Sequence, residues 1–266
     1  MSGGGRAEAG GGASAGGGAS SGGSGNVGAG GSLGSADPNK KITVWLAGDS
    51  TMQPCSSACP CGWGSQFQAK FTTNATVVNN GAGGRSIQTW LYEGNVTGTM
   101  SGGECVVNPK TYAARWQGML SPTTGMKPGD YLFIEFGIND GDATCNRHVG
   151  TALFQSYLGV MAQAAKERGA QPILLTSTSY IGCTGNTVNP NRGFGPQTKA
   201  AAASNNVPII DLTQLSAALY TKLGLCPNDS NYTSTTSAVG KFFCADHTHF
   251  EAGRVANRRR GGTGVA

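Results

Sequence analysis

Ile42-Thr43-Val44-Trp45-Leu46-Ala47-Gly48 is a short apolar run that closes on glycine and is followed at once by Asp49-Ser50-Thr51-Met52. A run this short, apolar at consecutive rather than alternate positions, reads as a strand covered on both faces. Residues 75–79, 131–136, 172–176 and 207–212 have the same form. Between the third and fourth runs, Leu153, Phe154, Tyr157, Leu158, Met161, Ala164 and Ala165 make one helical stripe, which ends in Glu167-Arg168-Gly169 with glycine at the stop position. Residues 197–205 and 213–223 read as further helices. Strands alternating with helices predict an α/β fold, a three-layer α/β/α flavodoxin-like sandwich around a parallel sheet of about five strands. Ligands of such sheets sit at the carboxyl ends of the strands, so function is sought in the residues that follow each run.

Four segments there carry chemistry. Ser50 stands at the first strand-to-helix turn, where a hydroxyl is presented at the sheet edge and the next backbone N–H groups point outward; serine also simply caps helices at such turns. Asn79-Asn80-Gly81-Ala82-Gly83-Gly84-Arg85-Ser86 follows the second strand, and its glycines allow backbone to approach a ligand or merely make a turn. Gly137-Ile138-Asn139-Asp140-Gly141 follows the third, offering a side-chain amide to a developing oxyanion or an ordinary Asx turn. Asp246-His247-Thr248-His249 sets a carboxylate three residues before an imidazole, the spacing at which Asp orients His toward a nucleophile. His247 competes with His249 for the role of base, and His148 reads as a solvated loop residue or a substrate contact.

Each segment alone has a bland explanation; in this order, each beside a strand end, they form a constellation. From Ile42 to Phe250 the chain resembles the SGNH (GDSL) hydrolase superfamily, whose four blocks contribute Ser, Gly, Asn and His. The motifs Gly48-Asp49-Ser50-Thr51-Met52, Val78-Asn79-Asn80 with Gly84-Arg85-Ser86, Glu135-Phe136-Gly137 with Asn139-Asp140-Gly141, and Asp246-His247-Thr248-His249-Phe250 are similar to the rhamnogalacturonan acetylesterase branch, carbohydrate esterase family twelve. The resemblance implies a serine esterase that removes O-acetyl groups from a cell-wall polysaccharide through an acyl-enzyme. It implies Ser50 as nucleophile, Asp246 and His249 as its partners, and Ser50 N–H, Gly84 N–H and the Asn139 amide as the oxyanion hole. No metal or organic cofactor is expected, and the implied partner is an acetylated polysaccharide or oligosaccharide met by a monomer. The chain departs from the family pattern at Ile138, where relatives usually carry His, and in residues 54–60, which read as an insertion beside the nucleophile. Two other readings stay open: a GDSL lipase or thioesterase, which requires an apolar groove, and a non-catalytic glycan-binding relic. Trp63, Trp90 and Tyr92 are candidates for stacking on sugars or for the core.

Composition bounds the rest. Of 266 residues 44 are Gly and 12% are charged. Residues 1–37 are almost all Gly, Ser and Ala, too poor in apolar surface to offset ordering entropy, and read as a disordered linker. Residues 38–253 are the expected esterase domain. Residues 254–266 form an Arg/Gly-rich tail that reads as truncated or frame-shifted against the apolar helix expected there. The net charge of +5 is concentrated after Phe250, where four arginines face one glutamate, so neither nucleic-acid nor membrane binding is expected. No apolar run reaches the length of a membrane span.

Eight cysteines in a chain poor in charge point to disulfides and a secreted or cell-surface protein, although no signal peptide is visible: either one was removed or the sequence starts inside the linker. Cys55, Cys59 and Cys61 are crowded, but no fourth ligand completes a zinc site. Sequons stand at Asn74, Asn95, Asn228 and Asn231. Cys226 and Cys244 bracket a polar segment just before Asp246, and the resemblance supports a bridge there. Cys105 with Cys145 is the second expected pair, with Cys55, Cys59, Cys61 and Cys183 left open.

Overall fold

A computed structural model describes residues 40–252; the expected linker at 1–37 and the tail at 254–266 lie outside them. The five apolar runs form one sheet: β1 (Ile42–Gly48), β2 (Ala75–Asn79), β3 (Tyr131–Glu135), β4 (Gln171–Leu175) and β5 (Ile209–Ile210), all parallel. Their order, β2-β1-β3-β4-β5, is the flavodoxin-like one, with the topological switch between β1 and β3. β5 is shorter than the sequence suggests. Pro208 lacks an N–H to give the ladder, and Asp211 ends the strand by capping the next helix, accepting from the Gln214 N–H at 3.2 Å.

Alternation along each strand divides the core. Trp45, Ala47, Leu132, Ile134 and Leu174 face a layer made by α1 (Ile87–Tyr92), α2 (Ala114–Met119), α3 (Thr151–Glu167) and α4 (Gly195–Ser204). Val44, Leu46 and Phe133 face the opposite side, where Trp63, Phe67 and Phe71 pack in edge-to-face contacts. On that side α5 (Leu212–Lys222) and α6 (Ala238–Phe242) share a cluster with Phe243 and Phe250. In α3 the buried residues are Phe154, Leu158, Met161, Ala162 and Ala165; of the expected stripe Leu153, Tyr157 and Ala164 are only half-buried against the same cluster, and Ala162 joins it. Gly169, just past its end, has φ +71°.

All eight cysteines are paired, so Cys55, Cys59 and Cys61 have no thiolate left for a metal. The pairs are Cys55–Cys61, Cys59–Cys244, Cys105–Cys145 and Cys183–Cys226. The Cys105–Cys145 expectation holds. The Cys226–Cys244 expectation is overturned, because its two ends belong to different surroundings. Cys226 follows α5, which docks on a small hairpin (Cys183–Thr184 with Thr187–Val188) through Val188 N–H donating to Thr221 Oγ1 at 2.9 Å. Cys244 lies where Phe243 pairs antiparallel with Phe250, and the 54–60 insertion and the adjoining Cys61 are hydrogen-bonded along that same turn. Sequence proximity misled because neither neighbour lies nearby in the chain.

Non-reducing peptide mapping is expected to recover Cys59 linked to Cys244 and Cys183 linked to Cys226; a peptide joining Cys226 to Cys244 would contradict this architecture. The Cys59–Cys244 bridge closes 185 residues, and chain entropy values a closure of that length at about 5 kcal/mol. Replacing both cysteines by serine is therefore expected to lower the denaturant midpoint markedly.

Candidate active site

β1 delivers Ser50 to the carboxyl edge of the sheet. Immediately after it, Gln53 N–H donates to Asp49 O at 3.0 Å, so the chain makes one tight turn with Ser50 inside it. Ser50 is 5% exposed. The loop after β2 lies against it: a Cβ on Gly83 would stand in ordinary contact with Ser50 Cβ at 3.8 Å and would displace the end of the Gln53 side chain, whose Oε1 lies at 2.5 Å. Gly84 has φ +69°, a left-handed conformation that glycine takes without cost. After β3, Asn139 Nδ2 donates to Arg85 O at 3.0 Å, which sets the amide beside the Gly84 turn. The expected residues Ser50, Gly84 and Asn139 thus converge on one edge.

Asp246 and His249 reach that edge from the other end of the chain. The turn carrying them is closed by Cys244 N–H to His249 O at 2.7 Å. Ser50 Oγ lies 2.8 Å from His249 Nε2, and His249 Nδ1 lies 2.6 Å from Asp246 Oδ2. The other Asp246 oxygen accepts from the Thr248 and His249 N–H groups, each at 2.7 Å. Burial pushes the Asp246 carboxyl up, but the hydrogen bonds from the His249 backbone and ring and from Thr248 outweigh it and hold it below its ordinary range. An ionised carboxylate, an oriented imidazole and a hydroxyl therefore stand in line, which is the arrangement that lets imidazole take the hydroxyl proton.

His247 points elsewhere: Nδ1 lies 3.0 Å from Thr248 Oγ1, and the ring packs edge-on against Tyr180 and Tyr232. His148 bonds within its own loop, Nδ1 to Asp142 O at 2.7 Å. The aromatic candidates for sugar stacking are structural. Trp90 is fully buried with Nε1 donating to Asn80 O, Tyr92 stacks on Tyr112, and Trp63 Nε1 donates to Glu135 Oε2 at 2.6 Å.

Three buried acids under the site escaped the sequence reading of function. Asp140 accepts from Ile87 N–H and Gly137 N–H, tying α1 to the loop after β3, and burial pushes its carboxyl up to about 7. Thr51 Oγ1 lies 2.9 Å from Asp49 Oδ1 and 3.1 Å from Glu135 Oε1. One hydroxyl hydrogen cannot serve both oxygens, so one carboxyl is protonated. Burial pushes both carboxyls up, and on Glu135 the charge of Asp49 adds to it and takes it to about 8, so the proton is assigned to Glu135. The signal was present in the sequence, since Asp49 and Glu135 end the two central strands, but nothing there told a buried acid from a solvated one.

A cleft of about 450 Å³ opens beside Asn139, lined by Ile138, Arg147, Tyr180, Asn191, Arg192 and Phe194 among others. Tyr180 and Arg192 belong to the segment after β4, which inspection of that strand end reaches. Arg192 Nη2 donates to Thr248 Oγ1 at 3.2 Å and its Nε donates to Thr178 O at 2.8 Å, linking this wall to the Asp246–His249 turn. A separate apolar cavity of about 470 Å³, bounded by Trp63, Phe67, Leu215, Leu219 and Phe242, includes none of the five expected site residues in its lining.

No family model matches the chain. The chain is 32% identical over 189 residues to the rhamnogalacturonan acetylesterase RhgT of Bacillus subtilis (strain 168), over 70% of this chain and 71% of that one. It is 28% identical over 211 residues to the probable rhamnogalacturonan acetylesterase YesY of the same organism, over 78% of this chain and 84% of that one. The crystal structure of the Bacillus subtilis protein YxiM has a similar fold, with a TM-score of 0.62 at 24% identity over 82% of this chain. This chain spans 54% of that structure, about half its length.

Glu135 gives the folded state a pH signature. The folded carboxyl keeps its proton to about pH 8, whereas its ordinary value is 4.5. The folded state binds more protons across that window, so the contribution is full below pH 4.5 and is lost as pH rises toward 8. Glu135→Gln, a neutral mimic, is expected to flatten the fall in urea midpoint over this range; parallel curves for the two proteins would reject the protonated Glu135.

Proposed function

The chain belongs to the rhamnogalacturonan acetylesterase family, and on that premise we propose that it is a secreted serine esterase that removes O-acetyl groups from a cell-wall polysaccharide such as rhamnogalacturonan. The observation that carries this reading is the unbroken relay from Ser50 Oγ through His249 to Asp246 at the carboxyl edge of the sheet.

Ser50 Oγ attacks the acetyl carbonyl carbon while His249 Nε2 takes its proton. Asp246 holds the other ring nitrogen and stabilises the imidazolium. The negative charge that develops on the carbonyl oxygen is received by the Ser50 and Gly84 N–H groups and the Asn139 amide. The intermediate collapses by breaking the bond to the sugar oxygen, which leaves as an alcohol with the proton from His249. Water then attacks the acetyl-Ser50 ester with His249 again as base, and acetate departs as the Ser50 hydroxyl is restored.

The cleft beside Asn139 supports a carbohydrate substrate, because its walls offer guanidinium, amide and phenol groups to sugar hydroxyls. The apolar cavity that a long acyl chain would require has no site residue in its lining. Four disulfides support an oxidising compartment. No helix among the described residues is long and apolar enough to cross a membrane.

Ser50→Ala is expected to abolish acetate release from acetylated rhamnogalacturonan, and full activity in that variant would refute the serine mechanism. His249→Ala is expected to cost far more turnover than His247→Ala; the reverse order would move the base to His247. Asn139→Ala is expected to lower kcat by about 10²–10³, the usual loss for one oxyanion donor. Assaying acetylated pectin, acetylated xylan and a long-chain ester in parallel gives the substrate class directly.

A further inference from the structure

Asn139 can serve an oxyanion only in one of its two amide orientations. Rotation by 180° about the last side-chain bond leaves its shape nearly unchanged but replaces the N–H donor with a carbonyl oxygen. Two contacts decide between them. Arg85 O can only accept and lies 3.0 Å from Asn139 Nδ2. Arg147 can only donate, and its Nη1 lies 3.2 Å from Asn139 Oδ1. Arg85 O accounts for one Nδ2 hydrogen and leaves the other free for substrate.

Arg147 is itself fixed although its side chain is 45% exposed. Its Nη2 pairs with Asp142 Oδ2, and Asp142 Oδ1 accepts from the N–H and hydroxyl of Thr144. The loop that holds these residues is pinned at Cys145 by its bridge to Cys105 and at Val149, whose N–H donates to Asp140 O at 3.0 Å. The guanidinium is therefore presented by a braced loop, and it places a positive charge on the oxygen side of the amide. A cation on an amide oxygen polarises the group and strengthens its N–H as a donor.

We propose that Arg147 is a positioning residue for the esterase reaction: it locks and polarises the Asn139 amide so that Nδ2–H faces the developing oxyanion. The proposal rests on the serine mechanism above. It concerns the transition state of any acetyl ester, so it does not depend on which sugar carries the acetyl group. Arg147 also lines the cleft, and the rival role for a cation there is to hold a carboxylate of the polysaccharide, which acts on ground-state binding instead.

The two roles separate on a small neutral substrate. With the full chain and 4-nitrophenyl acetate, Arg147→Ala is expected to lower kcat by about tenfold at nearly unchanged KM, part of the loss expected for deleting the donor outright. Asn139→Ala made in the Arg147→Ala background is expected to cost less than in the parent protein, since the two side chains act as one unit. An unchanged kcat on 4-nitrophenyl acetate, a change confined to KM on acetylated rhamnogalacturonan, or losses that simply multiply would each overturn the proposal. Ser50→Ala assayed alongside keeps the readings apart: residual activity there overturns the serine mechanism, whereas an inactive Ser50→Ala with a fully active Arg147→Ala overturns only the role of Arg147.

Discussion

The 2.8 Å contact between Ser50 and His249 joins residues 199 apart in the chain, and most of the functional architecture serves to make it possible. A hydrogen bond contributes only about 1 kcal/mol net, far too little to gather a loop across such a distance. The serine end is fixed by β1, which is central in the sheet and paired on both sides. The histidine end has no strand of that sheet beneath it. It is held by the Phe243–Phe250 pairing, by the Cys59–Cys244 bridge and by the 54–60 insertion with the adjoining Cys61, whose N–H donates to Phe250 O, while Ala252 N–H donates to Ala58 O. Cys55–Cys61 closes the insertion on itself. A segment that reads in sequence as an interruption beside Ser50 is thus the buttress of the Asp246–His249 turn.

Beneath the relay lies a second layer of constraint, made of buried acids. Burying a carboxyl is costly unless it is hydrogen-bonded, protonated or paired, and each acid here resolves that cost differently. Asp140 spans two backbone N–H groups from different loops, so the mouth of β3 and the start of α1 move as one. Glu135 keeps its proton and joins Thr51, Trp63 and Thr178, residues of three separate segments around the end of β3. Burial pushes the carboxyl of Asp49, adjacent to Ser50, up against two hydrogen bonds from Thr51 and the charge of Arg192, and Arg192 in turn holds Thr248, next to His249. The two residues of the relay that come from opposite ends of the chain therefore rest on one connected polar floor.

The main sheet and the strand ends at its carboxyl edge were legible from local pattern. Strand runs such as Ile42–Gly48 are apolar at successive positions because both faces are covered, and that coverage is a property of the run itself. The Ser, Gly and Asn blocks follow β1, β2 and β3, whose ends the parallel topology obliges to share one edge; each block alone had a bland reading, and the His block was joined to them by resemblance to a known family. Arg147 was not legible, since a lone Arg in a loop has no pattern that distinguishes a cleft wall from solvent.

What the sequence determined by itself was the five strands of the main sheet and most of the helical stripe of α3, which follow from interactions only a few residues apart. The tertiary structure alone decided which cysteine met which. Cys244 lies 18 positions from Cys226 in the sequence yet bridges Cys59, because the insertion folds over the turn, while α5 carries Cys226 to the Cys183 hairpin. It also decided that Trp90 is core rather than sugar platform, and that Glu135 holds its proton. Partner choice, burial and protonation depend on what arrives from distant parts of the chain, and that is settled only when the layers close.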